Sequence, residues 1–382
     1  MPIYRSGLVY DEHFLAHDTG VESLVVTSKG SFELSPEPHP SSVAIIRRTK
    51  GFLDGCGLTA EMYPIAARAA TEEELMTYHA REYIAGVRTC AAKGLVGPLV
   101  APWGEIDEDT VLNPGSFDAA LYAAGGAMNA VQAVMSGEVR NAYALLRPPG
   151  HHATQNQAMG FCIFNNVVLA AQYAKKMFGL ERIMIVDWDV HHGNGTQDAF
   201  YGDPDVLFIS LHQQDWFPSS SGELDQIGCD AGAGYTVNIP LPPGTGDRGY
   251  RAAFEQIVLP IGQLYHPQLI LVSAGQDACW LDPLAQMMVT MDGYRTLATL
   301  MVELAERVCE GRLVLCHEGG YSAPYVPYCT TAAVEALVGA HLGIVDLYAT
   351  SHELARSQTI YSHETHQALL AARAWHQHRW DI

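Results

Sequence analysis

The segment Asp187-Trp188-Asp189-Val190-His191-His192-Gly193-Asn194-Gly195 sets carboxylates and imidazoles at alternate positions. In extended backbone, side chains two apart share a face, so Asp187, Asp189 and His191 point together. Carboxylate oxygen and imidazole nitrogen suit a divalent metal such as zinc. A third ligand is needed, and Asp277 in Ser273-Ala274-Gly275-Gln276-Asp277-Ala278 is placed to supply it. Three protein ligands leave one position for water, which marks a catalytic rather than a structural zinc site. A lone His-His pair would read as loop histidines satisfied by capping carboxylates; the Asp and Gly pattern around this one points to metal chemistry.

Arg147-Pro148-Pro149-Gly150-His151-His152 supplies two more imidazoles. Imidazole titrates near neutrality, so it can take a proton from water and deliver one to a leaving amine. To divide that work the two rings need different electrostatic surroundings. A carboxylate such as Asp187 behind one ring would fix its tautomer and raise its basicity. His317-Glu318-Gly319-Gly320-Tyr321 adds a phenol on flexible backbone, able to hydrogen-bond a carbonyl as oxyanion character develops.

Elements with two periodicities must position these groups. Apolar strands are predicted at Tyr143–Leu146, Arg182–Val186, Val206–Leu211, Gln268–Ser273 and Arg312–Cys316. Helical patterns fall at Val43–Leu53, Phe117–Met135, Asn165–Phe178, Tyr250–Tyr265 and Tyr294–Cys309. Such alternation predicts an α/β fold: a central, mostly parallel sheet flanked by helices on both faces, in a single domain over 1–382. Ser35–Pro40, with three prolines, is predicted to be a loop. The four polar clusters each follow a strand, where open α/β sheets bind ligands, so they are expected to converge.

Bulk properties narrow the class. With 48% hydrophobic and 17% charged residues, the 382-residue chain has material for a large core. A net charge of −20 argues against nucleic-acid binding and is compatible with a cationic substrate. Eight scattered cysteines without a CxxC pair read as reduced thiols. The first residues lack the apolar stretch of a signal peptide, and no run approaches a membrane span, so a cytoplasmic location and no membrane partner are expected.

Together the four motifs, in this order, resemble the histone deacetylase family, including bacterial histone-deacetylase-like amidohydrolases and acetylpolyamine amidohydrolases. The similarity runs from Val9-Tyr10-Asp11-Glu12 to the helix after Tyr321, and RPPGHH, DWDVHHGNG and HEGGYS are in the style of the class II branch. The resemblance implies the arginase–deacetylase fold and zinc-dependent removal of acetyl or other short acyl groups from lysine side chains or small amines. It implies Asp189, His191 and Asp277 as zinc ligands, His151 and His152 as tandem catalytic histidines, and Tyr321 as the carbonyl-polarising tyrosine. Asp187 would back His151, and Asn194 would back His152; relatives carry Asp or Asn there, and Asn leaves the ring less basic. Gly160 and Phe161 match the acyl-lysine tunnel, with Trp216 or Phe217 as the opposite wall. Structural potassium is implied at Asp187, Asp189, His191, Ser210 and Leu211, and at Phe200, Asp203 and Val206 through backbone carbonyls. Relatives also assemble into dimers or tetramers, so a homo-oligomer is expected. Gln276 departs from the Phe usual in class II relatives.

Other readings are open. A dedicated acetylpolyamine enzyme fits the same tunnel. A two-manganese ureohydrolase would need a further carboxylate two residues beyond His191, where Gly193 stands. A non-catalytic acyl-lysine module would be expected to lack the tyrosine or a histidine. His363-Glu364-Thr365-His366 lacks zinc-protease spacing and reads as a solvated helix start. His13 and His17 are candidates for the site rim, and Arg47-Arg48-Thr49-Lys50 reads as an exposed helix face.

Overall fold

A computed structural model describes residues 6–27, 30–94, 99–102, 104–348 and 361–382. Eight strands form the central sheet: β1 (Ser6–Val9), β2 (Tyr63–Ile65), β3 (Asn141–Ala144), β4 (Ile183–Asp187), β5 (Val206–Gln213), β6 (Thr236–Leu241), β7 (Leu269–Ala274) and β8 (Leu313–His317). Their spatial order is β6-β5-β4-β7-β8-β3-β1-β2, and every pair is parallel. The inner strands β4, β7 and β8 are largely apolar and buried throughout because both faces are covered, whereas β2 at the edge exposes Pro64. Met184 and Val186 enter one core with the helices Met291–Val308 and Val326–Val338; Ile183 and Ile185 enter the other with Ser116–Met135 and Asn166–Phe178.

The order places the site. From β4 the chain moves outward through β5 and β6, then returns to the other side of β4 for β7 and β8. The reversal makes a crevice between β4 and β7 at their carboxyl ends, where open α/β sheets bind ligands. Parallel register aligns those ends: Asp187 lies opposite both Ser210 and Ser273, and Ala274 lies opposite His317.

Predicted strands and helices are recovered with boundaries shifted by one to three residues. Leu145 and Leu146, expected in β3, lie just beyond it. The expected Tyr250–Tyr265 helix is continuous from Asp247 to Tyr265 but widens into a π turn at Phe254–Val258. Pro260 follows, and its missing N–H cannot serve the regular ladder.

One expectation fails. Ser35–Pro40 is not wholly a loop: Ser35 to Pro38 close the strand Gly30–Pro38, paired antiparallel with Val21–Thr27. The register shifts between Glu22 and Leu24, so the stretch around Pro36 falls at a bulge, and Pro38 ends the ladder opposite Val21. Prolines are tolerated at a bulge or strand end of a two-stranded ribbon because no ladder donor is needed there. Among the described residues, no helix is long and apolar enough to cross a membrane.

Candidate active site

Asp189, His191 and Asp277 come together, with one donor atom of each within 4.8 Å of the others and all three residues buried. Backbone amides orient them. Asp189 Oδ1 accepts from His191 N (3.0 Å) and Oδ2 from Gly319 N (2.8 Å), while Asp277 Oδ1 accepts from Val190 N (2.8 Å). His191 Nδ1 sits 3.2 Å from Asp189 and 3.1 Å from Asp277. Gly319 closes the ring. A Cβ there would lie 2.3 Å from Asp277 Oδ2, 2.7 Å from Asp189 Oδ2 and 2.9 Å from Tyr321 Oη. The tyrosine hydroxyl therefore shares one small space with both carboxylates.

Two buried carboxylates this close call for a cation. Burial and then Asp189 push Asp277 up to about 7. Against the desolvation of its ring, the two carboxylates lift His191 to about 10, so a proton and a metal compete for its nitrogen. An O, N, O set with backbone-held carboxylates fits a divalent ion such as zinc.

His151 and His152, adjacent in sequence, meet opposite surroundings. His151 Nδ1 contacts Asp187 Oδ2 at 3.0 Å, and its Nε2 lies 3.6 Å from Asp189. Burial opposes its charge, but Asp189 and Asp187 overcome that and hold its pKa well above the usual value. His152 Nδ1 instead meets the neutral Asn194 Oδ1 at 2.8 Å. Burial, then the neighbouring His151 and His191, keep its pKa well below 6.5. One ring tends to hold a proton while the other is free to accept one.

Several supports were missed by the sequence reading. Glu318 lies fully inside HEGGY, yet its role is invisible without the fold. Its Oε2 accepts from Gly150 N (2.6 Å) and His151 N (3.2 Å), and its Oε1 accepts from Ser273 Oγ (3.2 Å), so it fixes the histidine loop. Asn165 accepts from Val168 N (3.2 Å) as a helix cap and donates to Ala153 O (3.2 Å). Asp282 accepts from Tyr321 N at 2.7 Å. Its Asp-Pro dipeptide was the only local signal.

A cavity of about 400 Å³ opens onto these groups, lined by Phe161, Phe217, Trp216, Leu284, Pro40, Asp109 and Gly160, with His152, His191 and Tyr321 at depth. Gly160 and Phe161 both adopt positive φ (54° and 66°). For a bulky aromatic that conformation costs about 1–3 kcal/mol, so neighbours must enforce it. Asp107 Oδ2 accepts from Gly160 N (2.7 Å), and Thr110 Oγ1 from Phe161 N (3.2 Å). Phe217 packs edge-on against His152 (5.0 Å between centroids), whereas Trp216 is 37% exposed with Nε1 donating to Leu284 O at 2.9 Å. Both aromatics thus line the cavity, Phe217 deep and Trp216 at the mouth.

The remaining candidates are dispersed. Ser210 sits beside Asp187 in β5, next to Leu211. Asp203 N donates to Phe200 O (3.0 Å) and Val206 N to Asp203 O (3.4 Å), while the Asp203 carboxylate pairs with Lys175 (2.6 Å). Gln276 is buried; its Nε2 donates to Ala274 O (2.9 Å) and its Oε1 has no hydrogen-bond partner among the described residues. His13 stacks on Tyr122, and buried His17 binds Ser116 Oγ at 2.7 Å. Neither lines the cavity. His363 starts a helix with its side chain exposed; on the helix Val43–Gly55 Arg47 and Arg48 are exposed, but Thr49 is buried and Lys50 half-buried, so the expected exposed face holds only in part. At Gly193 a Cβ would lie 2.2 Å from Asp187 Oδ2, so a bridging carboxylate for a second metal has no room.

Residues 39–337 match the histone deacetylase domain model. The chain is 41% identical to a histone deacetylase-like amidohydrolase of Pseudomonas aeruginosa, covering 90% of this chain and 88% of that protein. It is 43% identical to a probable deacetylase of Archaeoglobus fulgidus over 89% of this chain and 88% of the relative. The crystal structure of the HDA15 HD domain superposes with a TM-score of 0.84 at 32% identity, covering 99% of this chain and 96% of that one.

Proposed function

Because the chain belongs to the histone deacetylase family, we propose that it is a zinc-dependent amidohydrolase that removes acetyl or other short acyl groups from lysine side chains or small amines. The observation that carries this reading is the buried Asp189-His191-Asp277 cluster beside two histidines of opposite proton affinity, at the end of an aromatic-walled cavity.

Asp189, His191 and Asp277 would hold the zinc. Bound there, zinc supplies Lewis acidity toward an amide carbonyl and water. His152, neutral at pH 7, takes a proton from the attacking water and returns it to the leaving amine. His151 keeps its proton against Asp187 and offers positive charge to the developing oxyanion. Burial first, then Asp277 and Asp189, hold the Tyr321 hydroxyl well above its usual pKa, so it stays protonated and can donate to the carbonyl oxygen. Phe161 and Phe217 enclose a linear alkyl arm and keep water from it. Products are a carboxylate and a free amine.

Potassium would lie near Asp187, Asp189, His191, Ser210 and Leu211, and at the Phe200, Asp203 and Val206 carbonyls. The Lys175 ammonium already pairs with the Asp203 carboxylate, so that second site would rest mainly on backbone carbonyls. Narrow apolar walls fit both lysine and polyamine arms, and the reading favoured is a broad deacylase over a dedicated polyamine enzyme. Turnover of an acetyl-lysine peptide by zinc-loaded protein, abolished by chelation and restored by zinc, tests it. Metal-independent turnover would refute it.

A further inference from the structure

The aromatic wall at Phe217 rides on the loop after β5, and that loop holds an unfavourable shape. Asp215 and Ser220 both have positive φ, 54° and 60°. Neither is glycine, so contacts from outside the loop must hold the conformation. At its start, Gln213 Oε1 accepts from Gln286 N at 2.8 Å. Its return is held by one carboxamide. Gln226 Oε1 accepts from Gly222 N at 2.8 Å, and Gln226 Nε2 donates to Ser220 O at 3.3 Å. A primary amide carries one acceptor and one donor group, and here it satisfies the two backbone groups that flank Ser221.

The same amide reaches toward the chemistry. Gln197 Nε2 donates to Gln226 Oε1 (3.1 Å), and Gln197 Oε1 lies 3.1 Å from His192 Nε2. His192 Nδ1 in turn contacts Ser221 Oγ at 2.7 Å, and His212 Nε2 donates to Gly222 O at 2.9 Å. Gly222 is wedged over these rings with φ of 80°, where a Cβ would lie 2.4 Å from His212 Nε2. The loop base is thereby fixed to the residue next to His191, while Phe217 rests 6.1 Å from His191 and 5.0 Å from His152 between ring centroids.

We infer that Gln226, outside the cavity, is a positioning residue that sets selectivity: by clamping Ser220 and Gly222 it keeps Phe217 close, so that linear amines are accepted and amines branched beside the amide are excluded. This rests on the amidohydrolase reading. Sterics at an apolar wall discriminate by differences in fit, so releasing the wall lowers the discrimination rather than the chemistry.

The test compares Gln226→Ala with unaltered, zinc-loaded protein on two substrates. One is an acetyl-lysine peptide; the other carries a methyl branch on the carbon next to the amide nitrogen. Amide hydrogen exchange over residues 214–222 is followed in parallel. The linear-to-branched ratio of kcat/KM is expected to fall about tenfold, with KM for the linear peptide rising about threefold and kcat within about twofold. Exchange across the loop should quicken, and zinc content should be unchanged. Gln226→Glu, equal in size but unable to donate to Ser220 O, should move the ratio the same way and guards against a folding defect in the alanine variant. An unchanged ratio overturns the inference, as does a loss of kcat on both substrates at constant ratio. If the unaltered protein hydrolyses neither peptide, the amidohydrolase reading falls and takes this inference with it; hydrolysis with an unaltered ratio overturns this inference alone.

Discussion

At the cavity floor, the candidate side chains sit at or beyond the carboxyl ends of sheet strands: Asp187, the last residue of β4, and Asp189 and His191 after it, Asp277 after β7, Tyr321 after β8 and the histidine pair after β3. Along the cavity walls and mouth, Phe161, Phe217, Trp216 and Leu284 ride on loops held by side-chain hydrogen bonds to one another and to β5. The floor draws its accuracy from parallel register shared by neighbouring strands. The mouth draws it from a few side chains, Asp107, Thr110 and Gln226 among them, that hold unfavourable backbone in place. Substitutions at the floor should therefore remove chemistry outright, and those at the mouth should alter ratios between substrates.

The largest effect is expected from His191→Ala or Asp277→Ala. Either should lose stoichiometric zinc and all measurable turnover while retaining the fold by circular dichroism. Metal analysis showing one zinc per chain in either variant would break the ligand assignment. Tyr321→Phe comes next, with zinc retained and kcat lowered 10²–10³-fold, about 2.7–4 kcal/mol, as for loss of an oxyanion-hole donor. Unchanged kcat would contradict its role.

A smaller, directional effect belongs to Asn194. His152 must be neutral to accept a proton, and burial, His151 and His191 depress its pKa. The contribution of His152 to activity is thus present above that depressed pKa and lost as pH falls through it, below 6.5. In Asn194→Asp a carboxylate behind the ring should raise the pKa and move the limb of kcat/KM to higher pH. A pH–rate profile with an unmoved limb would show that the backing residue does not tune the base.

How much of this was legible in the sequence follows the same division. Floor residues announced themselves because strand-then-polar-cluster patterns recur four times and β4 is a plain apolar run. The mouth gave little: Phe161 could be placed by its motif, but the left-handed backbone beneath it depends on Asp107, some fifty residues away. Glu318 and Asp282 were hidden for a similar reason, since their partners are backbone amides that only tertiary contact brings near. Prolines in Ser35–Pro40 misled outright because a bulge and a ribbon end tolerate them.

The smallest effects are expected at the rim. Trp216→Ala should raise KM for an acetyl-lysine peptide a few-fold, consistent with an exposed aromatic worth about 1 kcal/mol, and leave kcat nearly unchanged. Comparing acetyl-lysine peptide, acetylputrescine and acetylspermidine across ionic strength sharpens the substrate class. Less than a hundredfold spread in kcat/KM is expected; a polyamine preference beyond that, about 2.7 kcal/mol and collapsing with salt, would favour the dedicated polyamine enzyme.

The most direct test of the central claim is the product balance on an acetyl-lysine peptide with zinc-loaded protein. Acetate and free lysine amine should appear in equal amounts over many turnovers, cease on chelation and resume when zinc is restored. Binding of the peptide with one zinc per chain but no acetate released would contradict the claim.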